Sequence, residues 1–180
     1  MVRAIVIIMI LSLFTKSYAN YENLAYDFKF KGIDGKVINL ADYENKIIVV
    51  VNVASRCGYT PQYDGLQKLW SKYNKNKIVV IGVPSNNFKQ EPGSNLEIKS
   101  FCETNFNIDF PMTEKMSVIG QEAHPFFKWA KDNHGISAVP KWNFHKIIVG
   151  RDGKILDTFS AFTKPLSKKV ISVIDKELKS

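Results

Sequence analysis

The chain has 180 residues, 45% of them hydrophobic, enough for a single domain with a sizeable core. Lysine and arginine (25) outnumber aspartate and glutamate (17), giving a formal charge of +8. The lysines are scattered (Lys72, Lys75, Lys77, then Lys164, Lys168, Lys169), with no dense basic run interleaved with aromatics. This pattern describes a solvated surface that attracts anionic partners and argues against a nucleic-acid or membrane binder.

Residues 1–19 have the pattern of a secretory signal peptide: a short basic start with Arg3, a mostly aliphatic run over 4–14, and small Ser17 and Ala19 at the positions a signal peptidase reads. The run is well short of the roughly 20 residues that span a bilayer. Cleavage would remove Arg3 and Lys16 and no acid. The expected mature chain is one exported domain, 20–180, without an integral membrane segment. A periplasm, the extracellular space and an endomembrane lumen all fit this signal.

No internal repeat, low-complexity tract or Gly/Pro/Ser-rich linker divides the remainder. Residues 26–31 and 37–40 flank Gly32-Ile33-Asp34-Gly35 and predict a β-hairpin. Residues 47–53 are apolar on both faces, as in a buried strand. A helix is predicted over 61–73, with Thr60 as cap, Pro61 in the first position and Leu66, Leu69, Trp70 and Tyr73 as its apolar stripe. A strand over 78–83 ends at Pro84, and a polar loop follows. Ser94 or Asn95 caps a helix to about residue 105, with Glu97 in its first turn. Another helix is predicted over 125–132, then strands over 144–149 and 155–159 about the tight turn 151–154. A Pro165-initiated helix closes the chain. A helical crossover between 47–53 and 78–83 favours parallel pairing, whereas the turn at 151–154 forces an antiparallel pair. This order is that of an α/β, thioredoxin-like fold: a central mixed β-sheet flanked by helices, with an N-terminal β-hairpin.

Cys57 stands where the apolar run ends and the helical pattern is about to begin. A helix N-terminus presents unpaired N–H groups and partial positive charge, which favour thiolate over thiol. The residue three beyond is Thr60, so the Cys-x-x-Cys pair of a disulfide oxidoreductase is absent. Cys102 falls on a helical apolar stripe with Ile98, Phe101 and Phe106, where cysteines are usually inert core residues. A structural Cys57–Cys102 disulfide is therefore not expected. His124, His134 and His145 lie in unrelated contexts without metal-ligand spacing, which argues against a metal site or a Cys–His hydrolase.

Four separated blocks resemble the glutathione peroxidase family: residues 52–60 around Cys57, residues 87–95 around Gln90, Phe110-Pro111-Met112 with Glu114-Lys115, and residues 142–146 beginning Trp142-Asn143. The resemblance covers about residues 25–178. It implies a non-selenium member in which Cys57 is the peroxidatic thiol and Gln90, Trp142 and Asn143 complete a catalytic tetrad. The thiolate attacks a peroxide oxygen and becomes a sulfenic acid. The two amides and the indole N–H can donate hydrogen bonds toward charge on sulfur or on the leaving oxygen. Ser85 occupies a position where many members of the family carry a second cysteine. The expected enzyme is thus a peroxidase of hydrogen peroxide or organic hydroperoxides, acting in the response to oxidative stress. An external thiol such as glutathione, or a thioredoxin-like reductant, would resolve the sulfenic acid, and no bound cofactor or metal is implied. Lys89 and Lys141 beside the motifs would attract the carboxylates of glutathione. The alternative is an exported thioredoxin-fold peroxide sensor or thiol–disulfide protein with little peroxidase turnover.

Overall fold

The structure is a computed structural model that describes residues 21–73 and 77–180. The signal-peptide expectation for residues 1–19 lies outside the described residues. Strands β1 (Lys29–Lys31) and β2 (Val37–Asn39) form a small antiparallel sheet of their own. The central sheet has the order β4-β3-β5-β6, from β3 (Ile47–Val53), β4 (Ile78–Pro84), β5 (Lys146–Val149) and β6 (Ile155–Phe159). Strand β3 pairs in parallel with β4 and antiparallel with β5, and β5 pairs antiparallel with β6. Helices α1 (Gln62–Lys72), α2 (Asn95–Phe106), α3 (Pro125–His134) and α4 (Lys168–Lys179) complete the domain.

Every residue of β3 and β4 is buried, as their continuous apolar sequences require. The free edge of β4 is covered by residues 110–113: the Gly82 N–H donates to Pro111 O at 3.0 Å, and the Thr113 N–H donates to Gly82 O at 2.9 Å. A side chain at Gly82 would meet the Phe110 ring, its Cβ coming within 3.1 Å. The Ser94–Glu97 capping box forms as expected, and Asn107 ends α2 in the left-handed conformation.

Four boundaries differ from the sequence expectation. The hairpin is shorter because Ala25–Asp27 is a 3₁₀ turn. Strand β5 begins at Lys146, since Phe144 has φ 65° and cannot extend it backward. Helix α4 starts after Ser167, whose side chain accepts from the Val170 N–H, so Pro165 lies in the preceding loop. Thr60 does not cap α1. Its side chain is committed to the loop that carries Cys57.

Candidate active site

Residues 54–61 join the end of β3 to α1, and Thr60 closes this loop on itself. Its hydroxyl donates to Ala54 O at 2.8 Å and accepts from the Cys57 N–H at 3.0 Å. Its N–H donates to Cys57 O at 2.9 Å. Cys57 is held from both sides of its own peptide, and its Sγ accepts from the Tyr59 N–H at 3.4 Å. The thiol is free and 7% exposed. It therefore sits just under the surface, with a backbone donor aimed at the sulfur.

The Trp142-Asn143 segment is positioned by Asn52, a fully buried polar residue in an otherwise apolar strand. Its Nδ2 donates to Trp142 O at 3.1 Å, and its Oδ1 accepts from the His145 N–H at 3.0 Å. Its backbone O accepts from the Phe144 N–H, with N and O 2.6 Å apart. One residue thus fixes the backbone on both sides of Asn143. Phe144 is held there at positive φ, a conformation bulky residues adopt only when their surroundings enforce it.

Gln90 approaches from the loop after β4. Lys89 before it has φ 58°. Two ties bind this loop to the Cys57 loop: the Arg56 N–H donates to Gln90 O at 3.0 Å, and Glu91 Oε2 accepts from the Ser55 N–H at 2.7 Å and the Ser55 hydroxyl at 3.0 Å. Glu91 is buried, and desolvation pushes its carboxyl above the usual range despite those bonds and the nearby charges of Lys115 and Arg56.

The four residues expected at the site come together unequally. Asn143 Nδ2 donates to Gln90 Oε1 at 2.9 Å, a direct contact between two of them. Trp142 is 42% exposed and its ring packs on Phe88 with centroids 5.4 Å apart. Cys57 is joined to Gln90 through the Arg56 backbone. Among the described residues, the hydrogen bond to Sγ comes from Tyr59; none runs from Gln90, Trp142 or Asn143. His145 is buried and its ring is pushed down to about 4, first by burial and then by the Lys146 charge, so it stays neutral at ordinary pH. No metal-binding cluster of His, Cys, Asp and Glu occurs among the described residues.

Sequence reading missed Asn52, Thr60 as loop closer, Glu91 and Lys146. Lys146 is buried in β5 and donates to Gln62 Oε1 at 2.6 Å and Thr163 O at 2.7 Å, while Gln62 Nε2 donates to Ala161 O at 2.6 Å. Burial lowers its ammonium to about 7. The clasp ties the start of α1 to the loop after β6. A polar residue inside an apolar strand, as at Asn52, was the signal available for this group.

Comparison with known proteins places the chain in a family. The glutathione peroxidase family model matches residues 25–131. A hydroperoxy fatty acid reductase of Synechocystis is 41% identical over 156 residues, covering 82% of this chain and 92% of its own. A glutathione peroxidase-like peroxiredoxin of Schizosaccharomyces pombe is 40% identical over 144 residues, covering 78% and 90%. The crystal structure of Trgpx in apo form superposes with a TM-score of 0.66 at 32% identity, covering 86% of this chain and 97% of that one. The chain is a peroxidase with a thioredoxin-like fold, and it belongs to the glutathione peroxidase family.

Proposed function

We propose that Cys57 is the peroxidatic residue and that it reduces hydrogen peroxide and organic hydroperoxides. The Cys57 sulfur takes the terminal peroxide oxygen, the O–O bond breaks, and the other oxygen leaves as water or an alcohol after gaining a proton. Cys57 is left as a sulfenic acid. The observation that carries this reading is the sulfur seated at a strand end with the Tyr59 N–H on it, beside the Gln90–Asn143 pair. Asn143 Oδ1 is buried without a partner among the described residues, and it can accept from the O–H of an incoming hydroperoxide. Gln90 Nε2 and the exposed Trp142 indole supply donors for the charge that develops on the leaving oxygen.

An external thiol, glutathione or a thioredoxin-like protein, then returns Cys57 to the thiol. The burial of Cys102 favours this route, because no second thiol lies open beside the site. A second reading, in which Cys102 itself resolves the sulfenic acid, is favoured by the shallow anchoring of α2. That helix buries only Ile98 and Cys102 among twelve residues, whereas α3 buries four of ten. Segments with few buried apolar contacts open most readily. The name of the S. pombe relative, a peroxiredoxin, points the same way. An oxidative-stress role follows from either route.

Intact mass before and after one equivalent of hydrogen peroxide separates these readings. A gain of one oxygen on Cys57, converted by glutathione to a mixed disulfide, supports the external thiol. Loss of two hydrogens with Cys57 and Cys102 bridged supports the second route. An unchanged mass would remove the peroxidase assignment of Cys57.

A further inference from the structure

Glu91 is a buried charge for which the reaction at Cys57 has no direct use. It is 1% exposed, and burial holds its carboxyl above the usual range. A carboxylate at such depth is costly unless hydrogen bonds and opposite charge compensate it. Arg56 and Lys115 supply the nearby positive charge. The hydrogen bonds come from one residue: Oε2 accepts from the Ser55 N–H at 2.7 Å and from the Ser55 hydroxyl at 3.0 Å. Bonds to an ionised acceptor are shorter and stronger than neutral ones, so a single side-chain oxygen grips both donors of Ser55.

This grip stands where the sheet no longer joins the two loops of the site. The pairing of β3 with β4 ends at Val53, whose O accepts from the Ser85 N–H at 3.1 Å. Beyond it, among the described residues, three hydrogen bonds link the Cys57 loop to the Gln90 loop: the two at Glu91 Oε2 and the one from the Arg56 N–H to Gln90 O. Ser55 lies two residues before Cys57, and Glu91 is the residue after Gln90. Glu91 is itself braced from behind. Its N–H donates to Asn86 Oδ1 at 3.0 Å, and the Lys115 ammonium donates to Glu91 O at 3.4 Å and to Gly93 O at 2.6 Å. The bonds that set the surroundings of the sulfur take another path, because those of Thr60 and the Tyr59 N–H stay within residues 54–60.

We propose that Glu91 is a positioning residue for peroxide reduction: through Ser55 it sets the register of the Cys57 loop against the Gln90–Asn143 amide pair. The proposal rests on Cys57 being the peroxidatic residue. Glu91 touches neither peroxide nor sulfur in this role, and the reaction at sulfur is the one given above. Two sets of bonds then divide the work. Thr60 and Tyr59 govern the thiol itself, and Glu91 governs where the thiol meets the groups that receive the leaving oxygen. Among the described residues no hydrogen bond runs from Gln90, Trp142 or Asn143 to Sγ. A slip in register therefore changes the rate with peroxide and spares the thiol.

The test compares two reactions of Cys57 in the reduced full chain: single-turnover oxidation by hydrogen peroxide and alkylation by iodoacetamide. Alkylation needs the thiolate and none of the amides. Glu91→Ala should slow oxidation by roughly tenfold to a hundredfold, the scale of a small misplacement of reacting groups, and leave the alkylation rate and its pH profile as in the wild type. Glu91→Gln keeps an oxygen acceptor at the same reach and should recover most of the oxidation rate, whereas Glu91→Asp, one methylene shorter, should not. Ser55→Ala keeps the backbone bond and should cost less than Glu91→Ala. Because Glu91 acts through Ser55, adding Ser55→Ala to Glu91→Ala should slow oxidation no further. Equal losses in oxidation and alkylation would overturn the proposal and leave Glu91 a structural residue of its loop. Wild-type oxidation in Glu91→Ala would overturn it too, as would a further loss in the double variant. If Glu91→Ala does not fold, Ser55→Ala decides: slower oxidation with unchanged alkylation supports the role, and an unchanged oxidation rate ends it. A wild-type chain that hydrogen peroxide does not oxidise at Cys57 would instead remove the peroxidatic role beneath the proposal.

Discussion

The two cysteines of this chain share a side chain and differ in nearly everything around it. Cys57 lies in a loop closed by Thr60, with the Tyr59 N–H on its sulfur. Cys102 lies in the middle of α2, 1% exposed, where burial, reinforced by the carboxylates of Glu91 and Glu103, pushes its thiol up to about 11 against the opposing effect of the Tyr63 hydroxyl. Exposure does not separate them well, since Cys57 is itself only 7% exposed. What separates them is the sign of the surroundings. One sulfur meets a backbone donor and a site lined by amides, and the other meets apolar packing and negative charge. The proposed difference in reactivity rests on the loop and the helix more than on the residue type.

The largest effect is expected on exchanging each thiol for a hydroxyl. Cys57→Ser should abolish peroxide reduction, while Cys102→Ser should leave the single-turnover oxidation of Cys57 nearly intact. Stopped-flow oxidation with hydrogen peroxide reads this step apart from recycling. If Cys102→Ser slowed it as much as Cys57→Ser, with the fold unchanged by circular dichroism, the two environments would not have the separate roles given to them here. A loss confined to turnover with a thioredoxin-like reductant would assign Cys102 to resolution.

A smaller effect is expected at Asn52, which touches neither thiol. Asn52→Ala leaves the His145 N–H and Trp142 O unpaired in the interior, each a loss of about 1–3 kcal/mol, and frees the segment that carries Asn143. Urea unfolding should show a loss of that order. Oxidation of Cys57 should slow by roughly tenfold to a hundredfold through misplacement of Trp142 and Asn143, and alkylation of Cys102 in the folded protein should be unchanged. A variant that lost stability with an unaltered Cys57 rate would reduce Asn52 to a packing residue.

These residues also show how far the sequence could be read. The apolar run of β3, the helical crossover to β4, the tight turn before β6 and the Ser94–Glu97 box are local signals, and each element formed as its sequence predicts. The motifs that hold Cys57, Gln90, Trp142 and Asn143 are contiguous stretches and can be read locally. The supports were not, because each depends on register between distant segments. Asn52 acts only because β3 lies against residues 142–145, and Glu91 only because its loop folds over Ser55. Thr60 has the local pattern of a helix cap, but its hydroxyl finds Ala54 O and the Cys57 N–H, which the tight loop places nearer. A lysine in a strand usually marks a solvated position, so nothing local reveals that Lys146 is buried.

Lys146 gives the finest test, because it is the counterpart of Cys102 in another chemistry. Both are buried and both are held toward their neutral forms, but they act on stability in opposite directions. Burial lowers Lys146 to about 7 from 10.5, so between those values the unfolded chain binds a proton that the folded chain does not. Stability should therefore rise with pH across this window, by up to about 1.4 kcal/mol per pH unit. Cys102 is raised to about 11 from 9, so above pH 9 the unfolded chain releases a proton that the folded chain keeps, and stability falls. Tyr63 and Tyr73, both also raised first by burial, add to that fall above pH 10. Urea midpoints should climb from pH 7 to 9, level off where the Lys146 and Cys102 effects oppose each other, and turn over above about pH 10. Lys146→Met should flatten the climb and leave the turnover, and Cys102→Ala should weaken the turnover and leave the climb. A climb that survives in Lys146→Met would show that another group carries it and that the Lys146 ammonium titrates alike in the folded and unfolded chains.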